Sequence, residues 1–503
     1  MYDVVIVGAG PVGLFLACEV GLAGCSVLVL EREAEEVSPW RAMPLGMRGL
    51  SAASVEAFYR RGMLQELLAA SGRSKDLEVD EPLAPQRVGH FAGMMLDESK
   101  VNLEALPYRL PTPAPGGAMT SLEAVEGVLA ERAAKLGVEI RYGVTVDELT
   151  QYEDKVVVGQ EYEARWVVGC DGGRSAVRGL AGFEFAGTEP QFTGYVMDAT
   201  VADPDKLKPW FNPTPTGMYV RMPIEGHLGM MDFDGGAFDR SQRLTREHLQ
   251  EVLRRVSGTD VTLSEVRRAS SFTDRAMQAT TYRQGRVLLA GDAAHIHSPL
   301  GGQGLNLGIG DAMNLGWKLA ATVKNQARDA GRREQPGDPG LLDSYAAERQ
   351  PIAARVLDWS RAQVATMAPG SEALQGLIRD LLETRDGTTY AFERLSGASI
   401  RYDLGSEHPL VGRVAPEFRL EDGRRLADLM RDGEGVLLDF SRRLRNKATA
   451  WEGRIRYSAQ PARNDLGLAA ALVRPDGVVA WAATTNDSEG FEQAATRWFG
   501  DRA

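Results

Sequence analysis

Apolar runs without polar alternation mark where this chain is expected to be covered on both faces. Val4-Val5-Ile6-Val7 is the first, a β-branched run of the kind that sits inside a parallel sheet. A helical pattern from Leu14 to Val20 follows a glycine-rich turn, and a second strand, Ser26 to Leu30, ends on Glu31. The same pattern returns at Val167-Val168, which leads to Asp171-Gly172 and a helix opening near Ser175. It returns again at Val287 to Ala290, which ends on Gly291-Asp292. A nearly side-chain-free loop then enters a helix over Asn306 to Thr322, and another helix covers Leu122 to Leu129.

The intervening stretches read differently. Glu78 to about Gly117 is proline-rich with short strand-like runs. Thr188 to about Thr273 is largely β-type, with a hairpin across Pro223 to His227 and a helix from Thr245 to Val256. Asn325 to Gly340 is a charged surface loop around Pro336-Gly337-Asp338-Pro339-Gly340. Leu341 to Thr366 is a helical arm, broken or kinked near Pro351. From about Ile400 the pattern changes to strands at Gly435 to Phe440, Ala469 to Val473 and Val478 to Trp481, the last two joined by a Pro475-Asp476-Gly477 turn.

Composition narrows the class. A chain of 503 residues has room for about two to four domains, and 44% hydrophobic with 25% charged residues is ordinary for a globular protein. A net charge of −12 argues against nucleic acid or an anionic membrane as main partner. Cys18, Cys25 and Cys170 form no CxxC pair, which fits a reducing compartment and not a disulfide framework. Met1-Tyr2-Asp3 runs straight into the first strand with no basic region, and no apolar stretch reaches the roughly 18 residues of a membrane span. A cytoplasmic protein is expected.

The glycine motifs carry the chemistry. Gly8-Ala9-Gly10-Pro11-Val12-Gly13 lies between strand and helix, with Glu31 at the end of the next strand and Arg32 after it. In that setting Gly8 makes the tight turn, Gly10 admits a pyrophosphate, Gly13 lets helix meet strand, and Glu31 takes ribose hydroxyls. A structural turn that binds nothing is the alternative. Gly291-Asp292 and Gly301-Gly302-Gln303-Gly304 form a second cradle, where backbone N–H groups can approach a large flat ligand and a helix start favours electron-rich oxygens.

With Asp171-Gly172-Gly173-Arg174-Ser175 between them, these motifs resemble those of the flavoprotein aromatic hydroxylases, single-component monooxygenases related to p-hydroxybenzoate hydroxylase. More narrowly, the chain resembles the branch acting on phenols and polycyclic aromatic polyketides, over nearly its whole length. The resemblance implies an α/β fold with a Rossmann-like FAD-binding domain (1–76, 118–186 and 274–370). That domain is interleaved with a mixed β-sheet substrate domain (77–117 and 187–273) and followed by a thioredoxin-like α/β domain (395–503). With no cysteine beyond Cys170, that last domain has no dithiol chemistry.

It further implies FAD held by Gly8, Gly10, Pro11, Val12, Gly13, Glu31, Arg32, Arg41, Asp171, Gly172 and Gly291. Asp292 would take a ribityl hydroxyl, and Pro299 with Gly301, Gly302, Gln303, Gly304, Leu305 and Asn306 would lie along the isoalloxazine. Asp171-Gly172 reads equally as a capped turn, and Arg48 as a surface ion pair. The family usually has Gln or Arg where this chain has Leu122, with Thr120 and Ser121 the nearest polar groups. The implied reaction is hydroxylation of a large phenolic substrate through a flavin C4a-hydroperoxide, with O2 and a transiently docked NADPH or NADH. No catalytic side chain is implied, and a monomer or homodimer is expected.

Other constellations are weaker. His295-Ile296-His297 places two rings on one side of an extended segment, but without the carboxylate or thiol cluster a metal needs. His90, Phe91, Met94, Met95 and the strands holding Tyr219, Arg221 and Met231 are candidates for a substrate wall, or else plain sheet core. Baeyer–Villiger oxygenation, an oxidase or dehydrogenase reaction, and a flavin-binding scaffold without turnover are the rival functions.

Overall fold

A computed structural model describes residues 1–35, 38–73, 89–106, 108–329, 339–485 and 489–502. Its main sheet runs Arg283–Gln284, Val287–Leu289, Tyr162–Gly169, Tyr2–Val7, Val27–Glu31 and Glu139–Tyr142. From Val287–Leu289 to Glu139–Tyr142 the neighbours are parallel. Val4, Val5, Ile6, Leu28, Val29, Val167, Val168, Leu288 and Leu289 are fully buried, as unbroken apolar runs require. Register aligns the strand ends: Val7 lies beside both Leu30 and Gly169, and Gly169 beside Leu289. The strands therefore end level, and the turns at Gly8, Asp171 and Gly291 emerge on one edge.

Two helices cross over that edge. Pro11–Leu22 packs against Gln303–Asp329, which starts earlier and ends later than the pattern predicts. A Cβ on Gly308 would lie 2.5 Å from Val12, and one on Gly316 2.4 Å from the Glu19 side chain, so glycine sets the closeness of the crossing. The predicted loop after this helix lies mostly outside the described residues, and the next helix begins at Pro339. That helix, Pro339–Met367, continues through Pro351, where the sequence pattern predicts a break or kink. Proline inside a helix costs about 3 kcal/mol. Here its neighbours are tied down from outside: Gln350 donates to the carbonyls of Ala279 (3.2 Å) and Thr280 (2.9 Å), and Arg349 and Ala353 are buried.

The second sheet has the order Trp210–Thr214, Gly217–Arg221, His227–Asp232, Thr193–Val201, Leu263–Thr273, all antiparallel. Its hairpin falls where the sequence places it. Side chains alternate between its faces. Tyr195, Met197, Leu228 and Met230 meet Leu249, Val252, Leu253 and Val256 of helix Arg246–Ser257, which Thr245 caps by accepting the His248 N–H at 3.2 Å. Met218, Val220 and Met231 face the other way, onto Phe91, Leu300, Val364 and Met367.

After helices Glu372–Leu382 and Arg385–Ser396, the C-terminal region folds around a sheet of order Ile455–Ser458, Gly435–Asp439, Ala470–Val473, Val479–Ala483. This thioredoxin-like unit docks through buried charge. Arg61 makes two 2.7 Å bonds to Glu19 and donates to the carbonyls of Met430 and Pro475, while Arg60 donates to those of Ala415 and Gly477. Among the described residues no helix is long and apolar enough to cross a membrane.

Candidate active site

The three glycines of the first turn have different surroundings. A Cβ on Gly8, whose φ is +106°, would sit 2.5 Å from the Cys170 carbonyl oxygen; one on Gly13 would sit 2.0 Å from that of Gly8. Both are required by backbone packing alone. Gly10 has nothing within 4 Å of its Cβ position, so its turn opens outward, with Pro11 starting the helix. Glu31 is buried behind it, where its Oε2 accepts the Ala9 N–H at 2.7 Å and its Oε1 the Glu33 N–H at 3.0 Å. The carboxylate thus fixes the turn from within. Arg32 is exposed, 3.6 Å from Glu33, and does not join this cluster.

Gly291 comes within reach of the same turn: at φ +63° its Cβ position lies 3.1 Å from Val12. Its N–H donates to Asp311 Oδ2 at 3.0 Å. Asp311 is wholly buried and also accepts from His295 Nε2 (2.6 Å) and Arg349 Nε (2.7 Å). Burial opposes its ionisation, but Arg349 and His295 outweigh that and hold it below the usual carboxylate range. Arg349 also bonds the Tyr402 hydroxyl and the Leu307 carbonyl. Asp311 and Arg349 escaped the sequence reading. A single acid amid Ile309, Ala312, Met313 and Leu315 was the available signal.

Asp292 differs from Asp311 in being exposed, 3.8 Å from the Cβ position of Gly304. His297 lies 3.7 Å from that same position through Nε2, a buried atom with no hydrogen-bond partner. Its Nδ1 donates to the Ser298 carbonyl at 2.7 Å, so Nε2 is the acceptor, and burial lowers its pKa and keeps the ring neutral. The two histidines thus serve separate partners. No group of three or more His, Cys, Asp or Glu among the described residues is placed to hold a metal.

The following loop is stitched to its surroundings. Gly302 N–H reaches the Pro299 carbonyl at 3.0 Å, and Gly301 and Gly302 have φ of +79° and +62°. Asn306 accepts from Ser51 N–H (2.8 Å) and donates to the carbonyls of Gly49 and Gly302 (2.9 Å each). Pro299 and Gly302 are exposed, Gly301, Gly304 and Leu305 half-buried, and Gln303 is buried with its amide on the Arg394 carbonyl.

Asp171 takes the Ser175 hydroxyl at 2.5 Å and the Val177 N–H at 3.1 Å, which is the geometry of a capped turn, with Gly172 at φ +79°. Arg178 ties this turn to the Asp292 loop through the carbonyls of Gly173 (2.9 Å) and Ala293 (3.0 Å). Arg41 lies 3.2 Å from Glu126, whose carboxyl burial pushes up to about 7, with Arg41 opposing. Arg48 is half-buried and not on the surface; its Nη1 donates to the carbonyls of Leu45 and Met47, and burial lowers it against the pull of Asp292 and Glu126. Leu122 offers no polar atom, but its N–H donates to the Gly46 carbonyl and that of Glu123 to the Arg41 carbonyl, so the helix start positions the arginine loop through backbone.

The predicted substrate wall divides. Phe91 and Met231 lie in the apolar cluster with Leu300 and Trp359. His90 is buried against Phe211 (3.8 Å between centroids), and burial pushes it down to about 4. Met95 is 51% exposed. Tyr219 and Arg221 are a correction: strand alternation turns them to the helix-backed side, where Tyr219 Oη accepts the Lys208 N–H and Arg221 donates to the Leu207 carbonyl.

A gap beyond Gly10, an exposed acid at a strand end and an unpartnered His297 nitrogen near that acid fit a long ligand with both phosphate and hydroxyl groups, as FAD has. Comparison with known proteins agrees. Residues 1–360 match the family described as "FAD binding domain" and residues 408–501 that described as "Aromatic-ring hydroxylase, C-terminal". The chain is 44% identical to a monooxygenase of Claviceps purpurea, over 99% of this chain and 97% of that one. It is 34% identical to a dialkyldecalin synthase of Streptomyces rugosporus, over 99% of each. The solved structure of OxyS anhydrotetracycline hydroxylase from Streptomyces rimosus superimposes with a TM-score of 0.83 at 37% identity, covering 100% of both chains. Level strand ends, glycine-set helix crossing and full-length likeness thus have one account: the chain belongs to the FAD-binding-domain family of flavin-dependent aromatic-ring monooxygenases.

Proposed function

We propose that the protein hydroxylates a large phenolic or polycyclic aromatic substrate of polyketide type, consuming O2 and NADPH or NADH. The observation that carries this reading is the exposed Asp292 beside Gly304 and His297, in a loop whose Leu300 packs into the apolar cluster of Phe91 and Met231. The open turn at Gly10 would receive the FAD pyrophosphate, with Arg41 and the cationic Arg48 nearby. Glu31, already holding the turn, has lone pairs left for ribose hydroxyls; Asp292 would take a ribityl hydroxyl. His297 Nε2 would accept a hydrogen bond from the cofactor side, and the backbone from Pro299 to Gly304 would line the ring. FAD, when bound, supplies reduction by the nicotinamide and activation of O2. The apolar side chains exclude water from the ring and orient the substrate by shape.

The test is consumption of NAD(P)H by the FAD-loaded protein under air, screened across polycyclic phenols, with product analysis in 18O2. Ring hydroxylation places one labelled oxygen on an aromatic carbon. A labelled ester or lactone gives the Baeyer–Villiger reading, and an oxidised product without label gives an oxidase. The likeness to a dialkyldecalin synthase supports a second reading, a flavin-holding scaffold that shapes a reaction without oxygen. That reading wins if the flavin is never bleached by NADPH or NADH with any ligand bound.

A further inference from the structure

The flavin-bearing region and the C-terminal unit leave a chamber between them. Two adjoining cavities of about 110 and 160 Å3 lie between helix Ala52–Arg60, the start of helix Gln303–Asp329 and residues 392–417, with Ala53, Glu56, Gly397, Ile400 and Val414 as shared walls. Asn306, Ile309 and Met313 floor the smaller one, on a different side of their helix from the Gly308–Val12 crossing. Leu106, Leu110, Phe392 and Leu410 supply apolar lining to the larger one, which is also strongly polar.

Its polar groups are incompletely used. Glu417 is 4% exposed; its Oε1 accepts the Ala427 N–H at 3.2 Å, but its buried Oε2 has no hydrogen-bond partner. Arg109, on the facing segment, has a buried Nη1 that also lacks one. Arg413 adds a second guanidinium, bonded to the carbonyls of Pro409 and Ala398. The remaining acid, Glu56, already pairs with Arg60 at 3.0 Å. Burial, reinforced by Glu56, pushes the Glu417 carboxyl up to about 8, so at neutral pH it carries a proton to donate. Each buried polar atom left unpaired is a cost to the fold. Ligand polar groups that reached these two atoms from the cavity would recover much of that.

We propose that this chamber is a second ligand site, adjoining the flavin cradle at Gln303 and Asn306 but centred on the larger cavity, for a flat molecule bearing an anionic oxygen (carboxylate, phenolate or enolate), with Arg109 and Glu417 as its polar contacts. It stands whether or not the proposed hydroxylation does.

Calorimetric titration of the FAD-loaded protein tests it, with 1-naphthoate as anionic probe and 1-naphthalenemethanol as its neutral counterpart. Arg109→Met is expected to weaken naphthoate binding about tenfold or more, roughly 1.4 kcal/mol, and to leave the neutral probe nearly unaffected. Arg109→Lys should keep most of the affinity. Val414→Trp, at a shared wall where the native side chain is 40% exposed, should weaken both probes by filling space. Flavin content and melting temperature establish that each variant is folded. The proposal is overturned if native protein binds no naphthoate, if naphthoate binds Arg109→Met and Val414→Trp as tightly as native protein, or if Arg109→Met weakens both probes equally.

Discussion

Asp311 is the side chain on which most separate pieces of this molecule depend. One carboxylate holds the Gly291 N–H, His295 and Arg349, so it joins the strand end, the loop after it and the helix through Pro351. Asp311→Ala would strand a buried guanidinium, and breaking a buried pair from one side costs about 3–5 kcal/mol. Urea unfolding should register a loss of that size, and FAD affinity should fall with it because Gly291 precedes Asp292, the proposed ribityl contact. Glu126 tests the electrostatics differently. Its carboxyl moves from 4.5 to about 7, mainly through burial, so the folded chain binds that proton more tightly than the unfolded one. Its contribution is complete below pH 4.5 and disappears as pH rises through 7. Glu126 should contribute a decline of roughly 3 kcal/mol in unfolding free energy across that window, so the slope should be less steep in Glu126→Gln. Equal slopes in both proteins would remove Glu126 as the cause.

At the level of elements, the glycine turn permits a sharper contrast. Gly13→Ala places a Cβ 2.0 Å from a carbonyl oxygen that cannot move without the strand, whereas Gly10→Ala meets no protein atom within 4 Å. Gly13→Ala is expected to give little folded protein. Gly10→Ala should melt within about 2 °C of native, a surface-like change, yet lose at least tenfold in FAD affinity by flavin-fluorescence titration. Native affinity in Gly10→Ala would mean that the pyrophosphate lies elsewhere. These turns were legible in the sequence because unbroken apolar runs announce buried strands and glycines mark where they stop. The helical arm was legible too, but not its continuity past Pro351, since what sustains that is Gln350 and Arg349 reaching residues far away in the chain. Nor was the direction of Tyr219 and Arg221: period-two alternation shows that neighbours diverge, but only the packed helix Arg246–Ser257 shows which face is which. The partners of Asp311 were hidden for the same reason, being a loop and a second helix.

For the whole molecule, the question is whether the C-terminal unit is an appendage or part of one body. Its sheet contains no cysteine, and its attachment is through ions withdrawn from water. Arg474 is wholly buried, makes two 2.8 Å bonds to Glu348 of the helical arm and also pairs with Asp476. Glu348 in turn lies 3.0 Å from Lys318 of helix Gln303–Asp329. Desolvation of such groups is recovered only while the partners stay together, so the two halves should unfold as one. Arg474→Met is therefore expected to cost about 3–5 kcal/mol and to lower FAD retention, although its nearest partners are not among the proposed flavin contacts. Arg424→Met is the control. Its 2.7 Å pair with Asp422 is half-exposed, and such pairs contribute about 0–1 kcal/mol. Denaturation followed by both flavin release and tryptophan fluorescence should give coincident transitions in native protein. An Arg474→Met variant in which the flavin signal survives a separate, earlier unfolding of the C-terminal unit would show that the buried ions hold an independent module in place.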